Sequence, residues 1–454
     1  MKRPNSAVVI GAGLSGLSAA YRLQEAGWRV EVLEASDKCG GRVRTIRRDG
    51  FIIDVGPDAL SSGYTEYLRL AIDVGLGNSI VACSPIIGLI RNGSIHEIDG
   101  SKPIRAALSL PLSISAKLQL ALGIVKLRRK LAGTDSFELA EMATDDDVED
   151  AHDYAQRNFG RDAAKHLIDP FVRLVAGTGP RNISHLAVLS ALSTWSNPLV
   201  NMRGGLDVLP STAAEELNVR YEARVVALVE LANGVVVTCD DDNGPRRFDA
   251  AIVATMFDDA CAIAPSIQSS VGELAASYEP LNLVSVSLAY GCPTRSKAYV
   301  IAVPFAEHPD ILLAFLQHNK SLDRAPPGHS LVSFYIEHGS AIEFASHDDD
   351  FIINFGRREF ERLFPELAGN FLFGSVTRWD KAGWVARPGH YRNVRELQRR
   401  MQEASRIILA GDAFSAGSME TAVRWGRLAA KRLISCGSLP DEHDPIQVPE
   451  VGQG

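Results

Sequence analysis

The sequence lacks a long apolar run, a paired-cysteine motif and an excess of positive charge. No apolar stretch reaches the roughly 18 residues that a membrane-spanning helix needs. The first one, residues 7–10, runs directly into glycine without a cleavage pattern. We therefore expect neither a membrane span nor a signal peptide.

The six cysteines are scattered, and none belongs to a CxxC pair or a His/Cys cluster. This spacing predicts free thiols in a reducing compartment, the cytoplasm, and no metal site. The formal net charge of −8 excludes a general nucleic-acid-binding protein, because such proteins need clustered Lys and Arg to neutralise phosphates. The 454 residues, 46% of them hydrophobic, suffice for two or three domains with a sizeable core.

A short apolar strand and three glycines open the chain. Residues 6–10 predict a buried strand. Gly11, Gly13 and Gly16 follow it with the GxGxxG spacing of a dinucleotide-binding turn. Gly11 would permit the tight turn, Gly13 would let the backbone approach a pyrophosphate, and Gly16 would let the next helix pack closely on the strand.

The elements after these glycines fit the same pattern. A helix is predicted over residues 15–24, and its free N-terminal N–H groups suit a phosphate. A second strand, residues 28–33, ends at Glu34. A carboxylate there would accept hydrogen bonds from a ribose diol and would repel the 2′-phosphate of NADP.

The segment CGGRVRT, followed by DGFIIDVGPDAL, resembles the N-terminal signature of FAD-dependent enzymes of the flavin amine oxidase and protoporphyrinogen oxidase superfamily. The resemblance implies that the dinucleotide is FAD, with Gly40, Gly41 and Arg42 beside its pyrophosphate and flavin. Two adjacent glycines would allow close approach, and the planar cation of Arg42 suits a phosphate.

The C-terminal segment RIILAGDAFSAGSMETAVRWGRLAAKRL continues the resemblance. It predicts a strand over residues 407–410, the pair Gly411-Asp412 and a helix over residues 418–433. By resemblance, Asp412 lies near the pyrophosphate or ribityl chain. The backbone of residues 419–421 faces flavin N1 and O2, where a helix N-terminus stabilises negative charge. No cysteine occurs in this segment, so FAD should be bound non-covalently.

Two further strands, residues 223–231 and 234–239, are predicted around an Asn233-Gly234 turn. The resemblance places a backbone contact to adenine at Val225. The predicted cofactor-binding residues are Gly11, Gly13, Leu14, Ser15, Gly16, Glu34, Ala35, Gly41, Arg42, Val225, Gly411, Asp412, Met419, Glu420 and Thr421.

These segments predict an α/β protein with discontinuous domains. The predicted parts are a Rossmann-like FAD-binding domain (1–81, 201–275 and 405–437), an α+β substrate-binding domain (82–200, a mostly helical insertion, and 276–404) and a tail (438–454).

Segments of the substrate domain, among them RNFGRDAAKHLIDPFVRLVAGTGPRNIS, resemble the protoporphyrinogen oxidase branch more than the amine oxidases. Residues 281–290 contain no lysine, where amine oxidases often place one beside flavin N5. Ser418 stands where they place an aromatic wall over the flavin. The run GWVARP, residues 383–388, departs from the protoporphyrinogen oxidase branch itself. The substrate therefore stays open.

We predict an FAD-dependent oxidoreductase, an oxidase or dehydrogenase that moves hydride from a hydrophobic substrate, cyclic ones included, to flavin N5. O2 or a quinone would reoxidise the flavin. The chain has no second GxGxxG turn for nicotinamide, so the substrate itself should supply the electrons. His390 and Trp384 are the predicted catalytic, substrate-facing residues. Protoporphyrinogen oxidation in haem synthesis, amine oxidation and non-redox isomerisation are the competing functions.

A helical stretch within residues 110–131 is apolar on several faces and ends in basic residues. We expect an ordinary buried helix whose basic end lies at its C-terminal dipole. The competing interpretation is a peripheral contact with a membrane that admits a lipophilic substrate. The oligomeric state is left open.

Overall fold

The computed structural model describes residues 5–131, 135, 137–143, 147–194, 197–240, 244–401, 405–415 and 417–435, so the predicted tail and Cys436 lie outside the described residues. The strands are Ser6–Ile10, Arg29–Leu33, Thr45–Arg48, Phe51–Asp54, Leu60–Ser61, Ile80–Ala82, Ile86–Arg91, Ser94–Asp99, Leu199–Met202, Val219–Arg220, Val225–Leu231, Gly234–Cys239, Arg246–Phe248, Ala250–Val253, Glu279–Tyr290, Val300–Ala302, Ile311–Leu316, Ser330–Ile336, Phe371–Val385 and Ile407–Leu409. The α-helices are Leu14–Glu25, Thr65–Asp73, Pro103–Ser109, Ile114–Lys130, Leu139–Met142, Ala151–Phe159, Arg161–Ala163, Asp169–Ala176, Leu186–Thr194, Val208–Glu215, Phe257–Ile263, Pro265–Ala276, His338–Ala345, Asp349–Leu363, His390–Arg400 and Met419–Ser435.

A five-stranded, all-parallel sheet carries the N-terminal glycines. Its order is Val219–Arg220, Arg29–Leu33, Ser6–Ile10, Ala250–Val253 and Ile407–Leu409. The central strand Ser6–Ile10 is buried at every residue, as expected for a parallel strand that is covered on both faces. The α/β class and the strands predicted at both ends of the chain are confirmed.

Helices from opposite ends of the chain pack together beside this sheet. Helix Leu14–Glu25 begins directly after the glycine turn, and helix Met419–Ser435 packs along it. Gly426 permits the close approach, because a Cβ at this position would lie 2.1 Å from the Ser15 carbonyl oxygen. The predicted bounds of both helices are correct to within two residues.

A three-stranded antiparallel sheet contains the predicted hairpin, with its turn one residue earlier than expected. Leu231 pairs with Gly234, so the turn residues are Ala232 and Asn233. Gly234 has already joined the second strand, where a Cβ would lie 2.5 Å from the carbonyl oxygen of Phe248. The glycine therefore serves the close pairing with the third strand rather than the turn.

The second large sheet has seven strands. Its order is Phe371–Val385, Glu279–Tyr290, Ser330–Ile336, Ile311–Leu316, Val300–Ala302, Ile86–Arg91 and Ser94–Asp99. The last two strands belong to the insertion that we predicted to be mostly helical. Their turn is Asn92-Gly93, with φ of +53° and +70°, and such an Asn-Gly pair is a strong hairpin signal that the sequence analysis missed.

Helix Ile114–Lys130 packs on its neighbours through only part of its surface. A Cβ on Gly123 would lie 2.5 Å from the Phe159 ring, so this face is tightly covered. Ile114 and Leu122 are nevertheless exposed, so the prediction of an ordinary buried helix is wrong. The helix carries more apolar residues than the surrounding helices cover. No helix in the described part of the chain combines the length and the apolar content that crossing a bilayer requires.

Candidate active site

A cavity of about 2450 Å³ lies where the two large sheets and the helices between residues 103 and 194 meet. Of the predicted cofactor-binding residues, those that line it are Gly11, Gly13, Leu14, Ser15, Glu34, Ala35, Gly41, Arg42, Val225, Gly411, Asp412 and Met419. Gly16, Glu420 and Thr421 do not line it. The structure thus brings three distant parts of the chain to one space.

The three glycines of the N-terminal turn have different surroundings. Gly11 adopts a φ of +99°, which residues with a side chain disfavour. A Cβ on Gly16 would lie 1.9 Å from the Gly11 carbonyl oxygen, so the helix packs directly on the turn. A Cβ on Gly13 would meet no protein atom within 4 Å. The backbone at Gly13 is therefore open to a ligand.

The first turn of helix Leu14–Glu25 presents an unpaired hydroxyl to the same space. Ser15 is buried, and its Oγ has no hydrogen-bond partner among the described residues. Gly13, which precedes the helix, supplies no side-chain cap. An anion at this N-terminus would accept hydrogen bonds from the hydroxyl and from the free N–H groups of the first turn.

Glu34, at the end of strand Arg29–Leu33, ties the glycine turn together. Its Oε2 accepts the Ala12 N–H at 2.7 Å and its Oε1 accepts the Ser36 N–H at 2.9 Å. Each carboxylate oxygen keeps a further acceptor site, because it has two lone pairs. The ribose contact of Glu34 stays a prediction, and the structure adds a role in holding the turn.

An ion pair joins the N-terminal motif to the C-terminal motif. The Arg42 Nη2 lies 2.8 Å from Asp412 Oδ1, and its Nη1 donates to the Ala382 carbonyl oxygen at 3.0 Å. Burial alone would lower the pKa of Arg42, but the charge of Asp412 raises it above its ordinary value. The guanidinium is therefore held as a cation at the cavity wall.

The C-terminal helix begins at the cavity and is capped by a side chain. Ser418 Oγ accepts the Thr421 N–H at 3.0 Å. The Glu420 carboxylate points away from the cavity, because it accepts the N–H groups of Glu66 and Tyr67 at 3.0 and 2.9 Å. Its side chain thus caps helix Thr65–Asp73. The flavin contact predicted for the backbone at this helix start stays a prediction.

The cavity wall away from the glycine turn is apolar. Its large side chains include Leu120, Ile124, Phe171, Leu283, Phe315 and Trp379. Among the described residues between 82 and 200, Arg128 is the one charged residue on this wall, while Asp380 and Lys381 line the cavity next to Trp379. Such a wall favours a hydrophobic ligand, because polar groups that lose water here would find few hydrogen-bond partners.

The two residues predicted to face the substrate lie in different places. Trp384 lines the cavity. His390 does not line it and is buried against the rings of Tyr278 and Tyr391, at centroid distances of 4.7 and 5.3 Å. Burial lowers the pKa of His390 to about 4. The catalytic role of His390 stays a prediction without support from this geometry.

A group of buried charges borders the cavity, and the sequence analysis did not identify it. Lys320 Nζ lies 2.9 Å from Asp54 Oδ2 and also donates to the Asp58 carboxylate, while Arg324 Nη1 lies 2.9 Å from Asp54 Oδ2. These side chains are at most 1% exposed. Burial alone would raise the pKa of Asp54, but Lys320 and Arg324 lower it.

This buried charge group holds a loop that lines the cavity. Lys320 Nζ donates to the Asp58 carbonyl oxygen at 2.8 Å, and the Tyr335 hydroxyl donates to the Gly56 carbonyl oxygen at 2.6 Å. A Cβ on Gly56 would lie 1.9 Å from the Arg42 carbonyl oxygen. The loop is therefore clamped between the charge group and the segment that carries Arg42.

Residues 14–434, which include the helices of both motifs, match the family model described as flavin containing amine oxidoreductase. The chain belongs to this family. The names of proteins similar to this chain specify different substrates, so the family match alone leaves the substrate open.

Three similar proteins illustrate that spread. Protoporphyrinogen oxidase 2 of Arabidopsis thaliana is 31% identical over 180 residues, which is 39% of this chain and 33% of the relative. A coproporphyrinogen III oxidase of Staphylococcus aureus is 22% identical, covering 95% of this chain and 99% of the relative. The structure of cyclohexylamine oxidase from Brevibacterium oxydans has a TM-score of 0.75 at 18% identity, covering 95% of this chain and 99% of that one. The last likeness shows the fold alone, and the match with the plant enzyme spans about a third of that relative.

This flavin-containing amine oxidoreductase is an FAD-dependent oxidoreductase, and its cavity fits FAD. The open backbone at Gly13, the unpaired hydroxyl of Ser15 and the cation of Arg42 suit the pyrophosphate. Glu34 has acceptor sites left for a ribose. Both ends of the chain contribute residues to the cavity.

Proposed function

We propose that the protein is an oxidase or dehydrogenase that takes hydride from a hydrophobic substrate, cyclic molecules included, and that O2 or a quinone is the final acceptor. The observation that carries this proposal is the apolar wall of the cavity opposite the cofactor motifs. An apolar substrate would bury its surface against Phe171, Phe315 and Trp379, and water would be excluded from the reacting carbon.

The chain's own residues position and shield the reaction. When bound, FAD supplies the oxidant, since its isoalloxazine ring accepts the hydride. Gly13, Ser15 and Arg42 would hold its pyrophosphate, and Glu34 its ribose, while Val225 would contact the adenine. The positive end of the dipole of helix Met419–Ser435, at its N-terminus, would lie near the flavin. Trp384 would contact the substrate from the strand Phe371–Val385.

Protoporphyrinogen oxidation in haem synthesis is the second candidate function. The names of the plant and bacterial relatives favour it. The cavity lining carries cations on two sides, Arg128 on the helical side and Arg44 and Lys381 near Trp379, so carboxylate groups of a porphyrinogen could find partners there.

Amine oxidation and non-redox isomerisation have weaker support. Amine oxidation would need groups that align the amine lone pair, and Ser418 stands where the family's amine oxidases place an aromatic residue. Isomerisation has no net redox change and needs no external electron acceptor.

A location in the cytoplasm and peripheral contact with a membrane complete the proposal. The exposed apolar face of helix Ile114–Lys130 supports the membrane contact.

Anaerobic stopped-flow absorbance of the FAD-loaded protein tests the proposal. We expect a lipophilic substrate to bleach the oxidised-flavin band, whereas NADH and NADPH should leave it unchanged over seconds. A polyene, a tetrapyrrole and an amine serve as separate probes, and the one that bleaches selects the branch. Rapid reduction by NADPH would refute the substrate as electron source, and turnover without bleaching or O2 use would select isomerisation.

A further inference from the structure

Two aromatic side chains from separate segments meet on the cavity wall beside the start of the C-terminal helix. Phe137 and Tyr64 both line the cavity, as do Ser418 and Met419 at the helix start. The two rings make an edge contact, with their centroids 5.5 Å apart and their planes at 84°. We call Phe137 and Tyr64 the aromatic pair.

Two hydrogen bonds fix the backbone of Phe137. Its N–H donates to Asp135 Oδ1 at 2.9 Å, and its carbonyl oxygen accepts the hydroxyl of Ser415. Ser415 belongs to the C-terminal segment that also carries Asp412. The segment that contributes Phe137 to the cavity is therefore bound directly to one of the motifs that we predict to contact FAD.

A cation of helix Met419–Ser435 holds the ring of Phe137. The guanidinium carbon of Arg424 lies 5.5 Å from the centroid of this ring, within the range of a cation–π contact. The same guanidinium pairs with Asp135 and lies 3.5 Å from Glu138 Oε1. Burial alone would lower the pKa of Arg424, but its pairing with Asp135 raises it. Arg424 therefore stays charged and contacts both the ring and the carboxylates that flank it.

The same turn of the C-terminal helix also holds the other member of the aromatic pair. Glu420 precedes Arg424 by four residues, and the two side chains form an ion pair at 3.3 Å. The Glu420 carboxylate accepts N–H groups in the first turn of helix Thr65–Asp73, and Tyr64 directly precedes that helix. Glu420 and Arg424 thus set the positions of both rings relative to one helix start.

This wall distinguishes between ligands of equal size. Any apolar ring that contacts the aromatic pair buries its surface and gains the same hydrophobic stabilisation per unit area. An unsaturated ring gains more, because aromatic rings in edge or offset contact stabilise each other beyond the burial of their area. A saturated ring lacks this second contribution. The aromatic pair should therefore favour an unsaturated ring.

We propose that Phe137 is a specificity-determining residue that favours a substrate with an unsaturated ring over one with a saturated ring, and that Arg424 is the positioning residue that holds it. This role rests on the proposed function, because it requires that the hydrophobic substrate occupies this cavity. Ligand binding to the oxidised, FAD-loaded protein needs no turnover. A failure of flavin reduction and a failure of ring selection are therefore separate results.

Calorimetric titration of the FAD-loaded protein with two matched probes tests the selection. The probes are 2-naphthalenemethanol and its decahydro derivative, two neutral alcohols that share one carbon skeleton and differ in the saturation of the rings. We expect the parent to bind the naphthalene probe more tightly, and Phe137→Leu should lower the ratio of the two affinities about two- to tenfold. Titration at about pH 8.5 keeps Glu138 ionised, because burial raises the pKa of Glu138 to about 7.

Three further variants test the role of Arg424. Arg424→Met should lower the affinity ratio as well, and it should have no further effect in the Phe137→Leu background, because Arg424 acts through that ring. Arg427 of the same helix pairs with Glu66 at 2.9 Å, so Arg427→Met is the matched control and should keep the parent's ratio. Phe414→Leu removes a buried ring that does not line this cavity, and it should keep the ratio too.

Several results would overturn the proposal. Equal affinity of the parent for both probes, no binding of either probe, or an unchanged ratio in Phe137→Leu would refute the selection by Phe137. If Phe137→Leu does not retain FAD, the comparison of Arg424→Met with Arg427→Met decides, and equal ratios in these two variants would refute the proposal. Probes that bind as expected to a protein whose flavin no candidate substrate reduces would refute the oxidoreductase function alone.

Discussion

Gly426 of the C-terminal helix touches the backbone of Ser15 in the N-terminal helix, and a Cβ on residue 426 would come within 2.1 Å of the Ser15 carbonyl oxygen. We expect Gly426→Ala to lower the free energy of unfolding by about 1–3 kcal/mol, because backbone contacts cannot yield as a flexible side chain can. Urea unfolding of the apoprotein measures this. The control is Gly13→Ala. Gly75→Ala would not serve, because Gly75 has a φ of +84°, a conformation that alanine adopts only with strain.

Gly13→Ala should affect the ligand rather than the fold. Gly13 has a φ of −75°, which alanine adopts readily, and a Cβ there meets no protein atom within 4 Å. We expect unchanged or slightly raised stability of the apoprotein, by up to about 1 kcal/mol, and at least about a tenfold loss of FAD affinity if the pyrophosphate lies against this backbone. Equal FAD occupancy in variant and parent at limiting FAD would argue against that position.

Glu34→Gln keeps the shape of the side chain and removes its charge. Because Glu34 accepts the Ala12 and Ser36 N–H groups and would also accept a ribose hydroxyl, we expect FAD affinity to fall by about 1.5–3 kcal/mol. The rate of flavin reduction at saturating FAD should change little. Fluorescence titration with FAD, combined with unfolding of the apoprotein, separates the loss of the ribose contact from loosening of the turn. A variant that binds FAD as tightly as the parent would refute the ribose assignment.

Arg42 and Asp412 should behave as one unit. Arg42→Met leaves the carboxylate of Asp412 without its partner, and Asp412→Asn does the same to the guanidinium. A double-mutant cycle on the stability of the apoprotein should give a coupling energy of about 0.5–3 kcal/mol. In FAD titrations, Arg42→Met should cost more affinity than Asp412→Asn, because only Arg42 offers a cation to the pyrophosphate. A coupling energy near zero would contradict the pair.

His390 should make the fold sensitive to acid. Its pKa is lowered to about 4 in the folded protein by burial, whereas in the unfolded chain it is near 6.5. Between these pH values the unfolded state binds a proton that the folded state does not, so stability falls as the pH drops from 6.5 towards 4. His390→Phe, which fits the aromatic surroundings of Tyr278 and Tyr391, should remove about 2 kcal/mol of this loss at pH 5.

Unfolding free energies of His390→Phe and the parent at pH 7.5 and pH 5 check this expectation. The exposed His96 serves as the control position, and His96→Gln should keep the acid sensitivity of the parent.

Since His390 does not line the cavity, we also expect His390→Phe to keep the KM for substrate, whereas Trp384→Ala should raise the KM. A raised KM in His390→Phe with unchanged stability would restore the catalytic role that the sequence suggested.

Features that depend on neighbouring residues could be predicted from the sequence. The strand Ser6–Ile10, the glycine turn and the helix after it are specified by adjacent apolar residues and glycines, and their predicted bounds hold to within two residues. The same is true of the strand and helix near the C-terminus. The prediction that the N-terminal and C-terminal segments line one cavity came from the family resemblance, not from any local pattern.

Features that depend on distant contacts could not be predicted. Asp54 and Asp58, like Lys320 and Arg324, are four residues apart, but nothing in the chain indicates that the two pairs neutralise each other across about 260 residues. The periodicity of helix Ile114–Lys130 indicates several apolar faces and cannot say which one lacks a partner. His390 was predicted to face the substrate, but it lies at the start of a new helix and its ring packs in the aromatic core.

The pairing of helix Leu14–Glu25 with helix Met419–Ser435 has a consequence for synthesis on the ribosome. Strand Ile407–Leu409 completes the parallel sheet, and helix Met419–Ser435 covers the helix that follows the glycine turn. A nascent chain that has emerged as far as residue 400 therefore exposes apolar surface at both positions and lacks Asp412 to neutralise Arg42. We therefore expect a chain that is cut off before residue 407 to lack part of the cofactor site and to expose apolar surface that a chaperone or protease recognises.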